Sequence, residues 1–192
     1  QIKQYNMTSP WPFLGWVIDV IGVVTPKGSN GHEYILVAIY YFTKWMEVQS
    51  YAVLKASHVA KFIRNNIICR YGVPNEIISD NGSQFKREVI DLLEKYNVTF
   101  HKSSTYRPQT NGAVEAANMN IKHILQKMVE TCRDWPDKLP FSLLGYRTSI
   151  RTSIGATPYS LVYGIEVVLP IEIEVLSLRV MAECQIVEVD WQ

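Results

Sequence analysis

The stretch WVIDVIGVV, residues 16–24, decides the fold class because it embeds one acid in an apolar, β-branched run. Runs of this kind are typical of buried strands. At the two-residue period of a strand, the central Asp19 shares one face with three aliphatic side chains, those of Val17, Ile21 and Val23. A buried carboxylate is costly unless it is paired. Asp19 therefore needs a cation, a hydrogen-bond network or an open cleft, and a salt bridge to a buried Arg or Lys is the structural alternative to a functional role.

Further strands and a change of period complete the pattern. Strands over Tyr34–Thr43 and Trp45–Tyr51 form an antiparallel meander with the first strand. Apolar residues at steps of three and four then predict a helix over Ser57–Arg70. After it the sequence predicts a strand over Glu76–Asp80, a helix around Val89–Tyr96, a short strand over Val98–His101, and helices over about 113–131 and 135–149. This order indicates a mixed sheet with helices on its faces, the α/β class.

Composition limits the function classes. The chain has 192 residues, 47% hydrophobic and 19% charged, which is a globular balance. No apolar run reaches the roughly 18 residues that cross a bilayer, so we expect no membrane partner. Three widely spaced cysteines predict a reducing intracellular compartment, and neither they nor the four histidines have zinc-finger spacing. A net charge of +1 does not by itself indicate nucleic-acid binding. The absence of an initiator Met predicts a segment of a longer polyprotein.

Two more acids join Asp19 as candidates. Asp80 ends a predicted strand, where sites of α/β folds are common, although an Asp before Asn81-Gly82 is also ordinary turn chemistry. Glu115 lies in the first turn of the long predicted helix, where an acid also favours the helix dipole.

The long helix has an apolar stripe, and Glu115 lies off it. The stripe is formed by Val114, Ala117, Ile121, Leu125 and Met128. Glu115 shares its flank with Lys122, Asn111 and Asn118. Three carboxylates suit hard cations such as Mg²⁺, and two ions about 3.5–4 Å apart can assist phosphoryl transfer. Spacing alone does not bring the three acids together.

Five motifs in order resemble those of retroelement integrases. The segment DNGSQF, residues 80–85, resembles the second-acid motif of the gypsy class, and 34 residues lie between Asp80 and Glu115, close to the spacing of the family's Asp-Asp-Glu triad. The other matches are the first-acid strand at 16–22, YFTKW at 41–45, the active-site loop YRPQTNG at 106–112, and TPYSLVYG at 157–164, which is characteristic of plant-type elements. The resemblance covers about residues 7–175.

This resemblance implies a ribonuclease H-like fold with a mixed five-stranded sheet and helices on both faces. It implies a DNA integrase, a nucleotidyltransferase and endonuclease that processes element DNA ends and joins them to target DNA. Asp19 and Asp80 would hold one Mg²⁺ or Mn²⁺ ion, and Asp19 and Glu115 a second. Residues 1–12 would be an arm or linker, 13–165 the catalytic core, and 166–192 an extension toward a further module.

The resemblance also implies partners and a location. Double-stranded DNA, a homo-oligomer of at least two copies and the nucleus are expected. Six residues near the triad are candidate DNA contacts: Lys102, Arg107, Gln109, Asn111, Asn118 and Lys122. For Lys122 a solvated helix face is the alternative. Tyr106, Trp45 and Trp135 are assigned to packing.

Several positions depart from the family pattern. They are Val17 for Gly, Val23 for Pro, Ala113 for Gln and Ala116 for Arg. None is a triad residue. They motivate an alternative function, a catalytically inactive remnant that binds DNA or dimerises. A third possibility is an unrelated α/β metal-binding domain.

Overall fold

A five-stranded mixed sheet forms the centre of the molecule. The computed structural model describes residues 13–79, 85–102, 125–151, 155–169 and 171–183. The strand order is β3-β2-β1-β4-β5. β1, β2 and β3 are antiparallel neighbours, and β4 and β5 run parallel to β1. The strands are β1 (Gly15–Gly22), β2 (Tyr34–Tyr40), β3 (Met46–Tyr51), β4 (Glu76–Ser79) and β5 (Thr99–Lys102).

Helices cover both faces of this sheet. The first three segments are consecutive: α1 (Ala56–Phe62), a π-helical segment (Ile63–Ile68) and α2 (Cys69–Tyr71). The later helices are α3 (Arg87–Lys95), α4 (residues 125–131 as described), α5 (Trp135–Thr148), α6 (Pro158–Tyr163) and α7 (Ile171–Glu183). None of these described helices is long and apolar enough to span a bilayer.

The alternation of side chains along β1 and β2 creates two separate cores. Leu36 and Ala38 point to the face covered by α1, the π-helical segment and α3, where Phe62 and Leu93 are buried. Ile35 and Val37 point to the opposite face, covered by α4, α5 and α7. The second face buries Leu125, Met128, Trp135, Leu139 and Val180.

Most predicted elements are confirmed, with specific differences. The antiparallel meander and the parallel later strands are as expected for the α/β class. β1 ends at Gly22, so the prediction that Val23 shares the buried face of Asp19 is wrong: Val23 is 62% exposed. The helix predicted over Ser57–Arg70 spans three segments and contains a π-helical turn. Leu125 and Met128 are buried, as the predicted stripe requires, while the rest of that stripe lies outside the described residues.

Residues 171–183 form a helix that packs on the domain. Val180 of α7 is buried in the core beneath α4 and α5. These residues fall within the predicted extension 166–192. The domain boundary proposed at residue 165 stays a prediction.

The outer edge of β3 is closed by polar contacts from α5. The Arg147 guanidinium donates to the Met46 carbonyl and, at 2.6 Å, to Oε1 of the buried Glu47. Arg70 donates to the other carboxylate oxygen at 2.9 Å, and the Tyr71 hydroxyl donates to Oε1. Burial and then the Glu47 carboxylate raise the pKa of the Tyr71 hydroxyl, which therefore stays protonated as a donor. The Arg147 contact thus occupies one carbonyl, that of Met46, which an edge strand would otherwise expose.

The β1–β2 loop fastens the sheet to the start of α5. The Ser29 amide donates to the Arg133 carbonyl at 2.8 Å. A Cβ at Gly28 would overlap Cγ of Pro136 and lie 2.9 Å from its Cδ. The loop approaches α5 this closely because residue 28 has no side chain.

We predict that Gly28→Ala lowers the free energy of unfolding by about 1–3 kcal/mol, the usual cost of overpacking. Pro136→Ala removes both proline atoms that the new methyl would meet. The double variant should therefore recover most of the loss, as urea denaturation of the four proteins of the cycle would measure. Additive losses in the double variant would contradict this close approach.

Glu47→Ala should cost about 3–5 kcal/mol, because it leaves the partly buried Arg147 without its carboxylate. Arg70→Ala should cost less than about 1 kcal/mol, since the Arg70 side chain is half exposed and solvent screens its ion pair. Urea denaturation of the two variants checks the difference. Equal losses would show that the network is not organised around Arg147.

Candidate functional site

The candidate site lies where the parallel strands β4 and β5 end beside β1. Ile18 of β1 pairs with Ser79, and Ser79 pairs with Lys102. This row contains the last residue of β4 and the last residue of β5. Asp19 is the next residue along β1 and lies opposite Val37 of β2. In open α/β sheets, ligands bind beyond the carboxyl ends of the parallel strands.

The Asp19 side chain lies on the same sheet face as the core under α4 and α5. Its register partner Val37 is 2% exposed, and Ile21, two residues along, packs against that core. Asp19 itself is half-buried. Its Oδ1 accepts the Val20 amide proton at 2.8 Å, which restricts the carboxylate next to the backbone. The expectation of an acid within an apolar strand is confirmed.

The remaining predicted site residues divide into two groups. Lys102 is described: it is exposed and closes β5, one strand beyond Ser79. The others lie outside the described residues, namely Asp80, Arg107, Gln109, Asn111, Glu115, Asn118 and Lys122. Within the described ranges, no three His, Cys, Asp or Glu side chains come together as a metal site would require. The triad and the DNA contacts therefore stay predictions.

One polar contact on the face of the sheet that carries Asp19 was not predicted. His101 Nε2 lies 3.1 Å from a Glu76 carboxylate oxygen across β4 and β5. Val17 pairs with Ile78, and Ile78 pairs with His101, so this pair is on the same sheet face as Asp19. The sequence shows an acid in one short strand and a histidine in the next, but that they face each other follows only once the register of β4 and β5 is known.

Two of the family-like motifs form scaffold. Trp45, of the YFTKW segment, is 3% exposed, and its ring centroid lies 5.6 Å from that of Tyr163. Tyr163 and Tyr159 belong to the TPYSLVYG segment. The Arg147 guanidinium stacks on the ring of Trp45, with its carbon 4.1 Å from the ring centroid. The packing assignments of Trp45 and of the fully buried Trp135 are confirmed.

The architecture is that of an RNase H-like catalytic core. A crystal structure of the catalytic core domain of BIV integrase superposes with a TM-score of 0.60 and 25% identity, covering 78% of this chain and 93% of that one.

The chain belongs to the integrase core domain family, whose model matches residues 11–108. It is 35% identical over 153 residues to the Gag-Pol polyprotein of avian reticuloendotheliosis virus, covering 79% of this chain and 13% of the polyprotein. It is 35% identical over 156 residues to the Gag-Pol polyprotein of gibbon ape leukemia virus, covering 80% of this chain and 9% of that polyprotein. The chain thus spans a small part of these relatives. The assignment to the gypsy class stays a prediction.

Proposed function

We propose that this chain is the catalytic core of a DNA integrase that processes element ends and joins them to target DNA. In this reaction a freed 3′-hydroxyl attacks a phosphorus atom of the target strand, and the bond to the leaving 3′ oxygen breaks in line. No covalent enzyme intermediate is required. Membership of the integrase core domain family supports the reaction class. The element's DNA ends and target DNA would be the substrates, and the nucleus the place of action.

One structural observation carries the assignment of the residues. The parallel ladder between β1 and β4 reaches Ile18 and Ser79. Asp19 and Asp80 are the residues that follow Ile18 and Ser79 in the sequence. If the ladder continues by one residue, the two carboxylates lie side by side, because facing residues of neighbouring strands share a face. Glu115 completes the triad by its motif and spacing.

Asp19 suits a divalent metal. Carboxylate oxygens are ligands that Mg²⁺ and Mn²⁺ prefer, and this carboxylate is held at the junction of an apolar core and the strand ends. When bound by Asp19, Asp80 and Glu115, such ions would neutralise charge on the attacking and leaving oxygens. The core on the same sheet face includes Val37, and Ile21 packs against it, so apolar side chains flank the carboxylate.

Phosphate contacts would orient the DNA at this edge. Lys102 is exposed at the end of β5, in the row that precedes Asp19. We propose that it and Lys122 meet phosphates, and that Arg107, Gln109, Asn111 and Asn118 contact the DNA end. Contacts of this kind fix register without reading sequence. We also propose that the active form contains at least two copies of the chain.

We predict that Asp19→Asn, Asp80→Asn and Glu115→Gln each lower metal-dependent resolution of a nicked, branched DNA by at least about 100-fold. Mutation of residues that only hydrogen-bond to metal ligands typically lowers metal affinity or activity by about 10–100-fold. Loss of a metal ligand itself should therefore lower the rate further. Rates are measured with Mn²⁺ or Mg²⁺ on the full chain, and circular dichroism confirms that each variant is folded.

Two matched substitutions serve as controls. Asp91→Asn changes an exposed acid of α3, and Glu130→Gln an exposed acid of α4. Both should keep nearly the wild-type rate. Salt-sensitive DNA binding without cleavage by the folded wild-type chain would instead favour the inactive, DNA-binding alternative. Full activity of Asp19→Asn would refute the metal-ligand assignment.

Lys102→Gln should weaken DNA binding similarly for all sequences and reduce the salt slope of log K by about one. Lys61→Gln, which removes an exposed lysine of α1, is the matched control. Fluorescence anisotropy at several salt concentrations gives both slopes. An unchanged slope for Lys102→Gln would remove Lys102 from the DNA interface.

A further inference from the structure

Helix α7 carries apolar side chains on two opposite sides. One side contributes Val180, 8% exposed, to the core beneath α5. The other carries Val175 and Leu178, which are 54% and 56% exposed, and the exposed Ala182. A helix that is apolar on opposite sides is normally covered on both. The outer stripe, Val175, Leu178 and Ala182, therefore has the character of an interface.

The spacing of the outer stripe is that of a coiled-coil seam. Steps of three and four residues join Val175, Leu178 and Ala182, which makes them successive a, d and a positions of a heptad. A β-branched residue at a with Leu at d favours two parallel helices. Val175 and Leu178 follow this rule.

The charges that flank the stripe are complementary to a second copy of the same helix. In this register, Glu174 is at g and Arg179 at e, on opposite flanks, and both side chains are exposed. In a parallel pair, position g of one helix faces position e of the next heptad on its partner, five residues further on. Glu174 of each copy therefore faces Arg179 of the other, twice around the two-fold axis.

A cavity beside the stripe extends the same surface. Its volume is about 410 Å³, and Leu178 and Glu174 of α7 line it together with Val168 and the end of α5 at Thr148. Val168 is 94% exposed at the rim. The surface thus holds exposed apolar side chains next to a recess, and a two-fold interface would place the same patch on both copies.

We propose that α7 pairs in parallel with α7 of a second copy of this chain, through the outer stripe and the Glu174–Arg179 ion pairs. This contact would form a surface for self-association, and it does not depend on the proposed chemistry. Since the helix has 13 residues, the pairing is modest in area and reversible.

Sedimentation equilibrium of the full chain over a range of concentrations tests the surface. Leu178→Glu should weaken self-association at least about tenfold, because it introduces a charge into the seam. Val53→Glu is the matched control, since Val53 is 55% exposed, lies outside α7 and should leave association unchanged. A wild-type chain that stays monomeric, or equal association of wild type and Leu178→Glu, overturns the proposal.

Charge reversal tests the ion pairs. Glu174→Arg and Arg179→Glu should each weaken association, and the double variant should restore it to within about threefold of wild type. Failure of the double variant to recover, with both single variants weakened and folded, would overturn the pairing of Glu174 with Arg179.

Disulfide trapping tests the orientation, in a chain whose Cys69 and Cys184 are replaced by Ser. In the parallel pair, residue 175 faces its own copy, so Val175→Cys should oxidise to a covalent dimer. In an antiparallel pair, residue 175 would instead face residue 178 of the other copy. The two copies of residue 175 would then be offset by about 4.5 Å along the helix axis. Linkage only between Val175→Cys and Leu178→Cys chains would overturn the parallel arrangement.

Discussion

The carboxylate of Asp19 occupies the central strand of the sheet, with apolar neighbours along the strand and across it. Placing a charge there is unfavourable unless a cation or solvent compensates it. The surrounding structure keeps the carboxylate at the boundary between a dry core and the open ends of β4 and β5. Val37 and Ile21 lie on one side of the carboxylate. On its other side β4 and β5 end, in the row of paired residues Ile18, Ser79 and Lys102. This placement of the acid is what supports the proposal that Asp19 takes part in a metal-dependent function.

Contacts between residues distant in sequence hold the sheet that contains this strand, both at its β3 edge and at the β1–β2 loop. At the β3 edge, Glu47 joins Arg147, which is 100 residues away. At the β1–β2 loop, Ser29 binds the Arg133 carbonyl in the turn before α5, and Gly28 lies against Pro136 of α5. Both sets of contacts hold α5 over the face that carries Asp19. Trp45 stacks on Arg147 and packs against Tyr163, so the two family-like motifs belong to the same scaffold.

The sequence predicted the elements of the fold correctly wherever a local pattern of residue types determines the local structure. β-branched runs located β1 and β2, and the change to a helical period located α1 and α3. The overrun of β1 has a physical cause, since Val23 and Val24 continue the β-branched run although the chain turns at Gly22. The π-helical turn was not predictable because it leaves the apolar spacing almost unchanged.

The site was predictable only in part. Asp19 stands out by its environment, but the Glu47 network does not, because Glu47 resembles any polar residue of an alternating strand and its partners are remote. The pair of Glu76 and His101 likewise depends on a register that only tertiary structure fixes. The residues of α7 were assigned to an extension because the sequence after about residue 165 is apolar and interrupted by Pro170.

The most direct measurement of the central claim is a crystal structure of the chain soaked in Mn²⁺, with anomalous scattering used to locate the ion. The account predicts an anomalous peak bonded to carboxylate oxygens of both Asp19 and Asp80, at a distance of about 2.0–2.6 Å. A peak elsewhere, or well-ordered Asp19 and Asp80 carboxylates that point apart with no ion between them at saturating Mn²⁺, would contradict it.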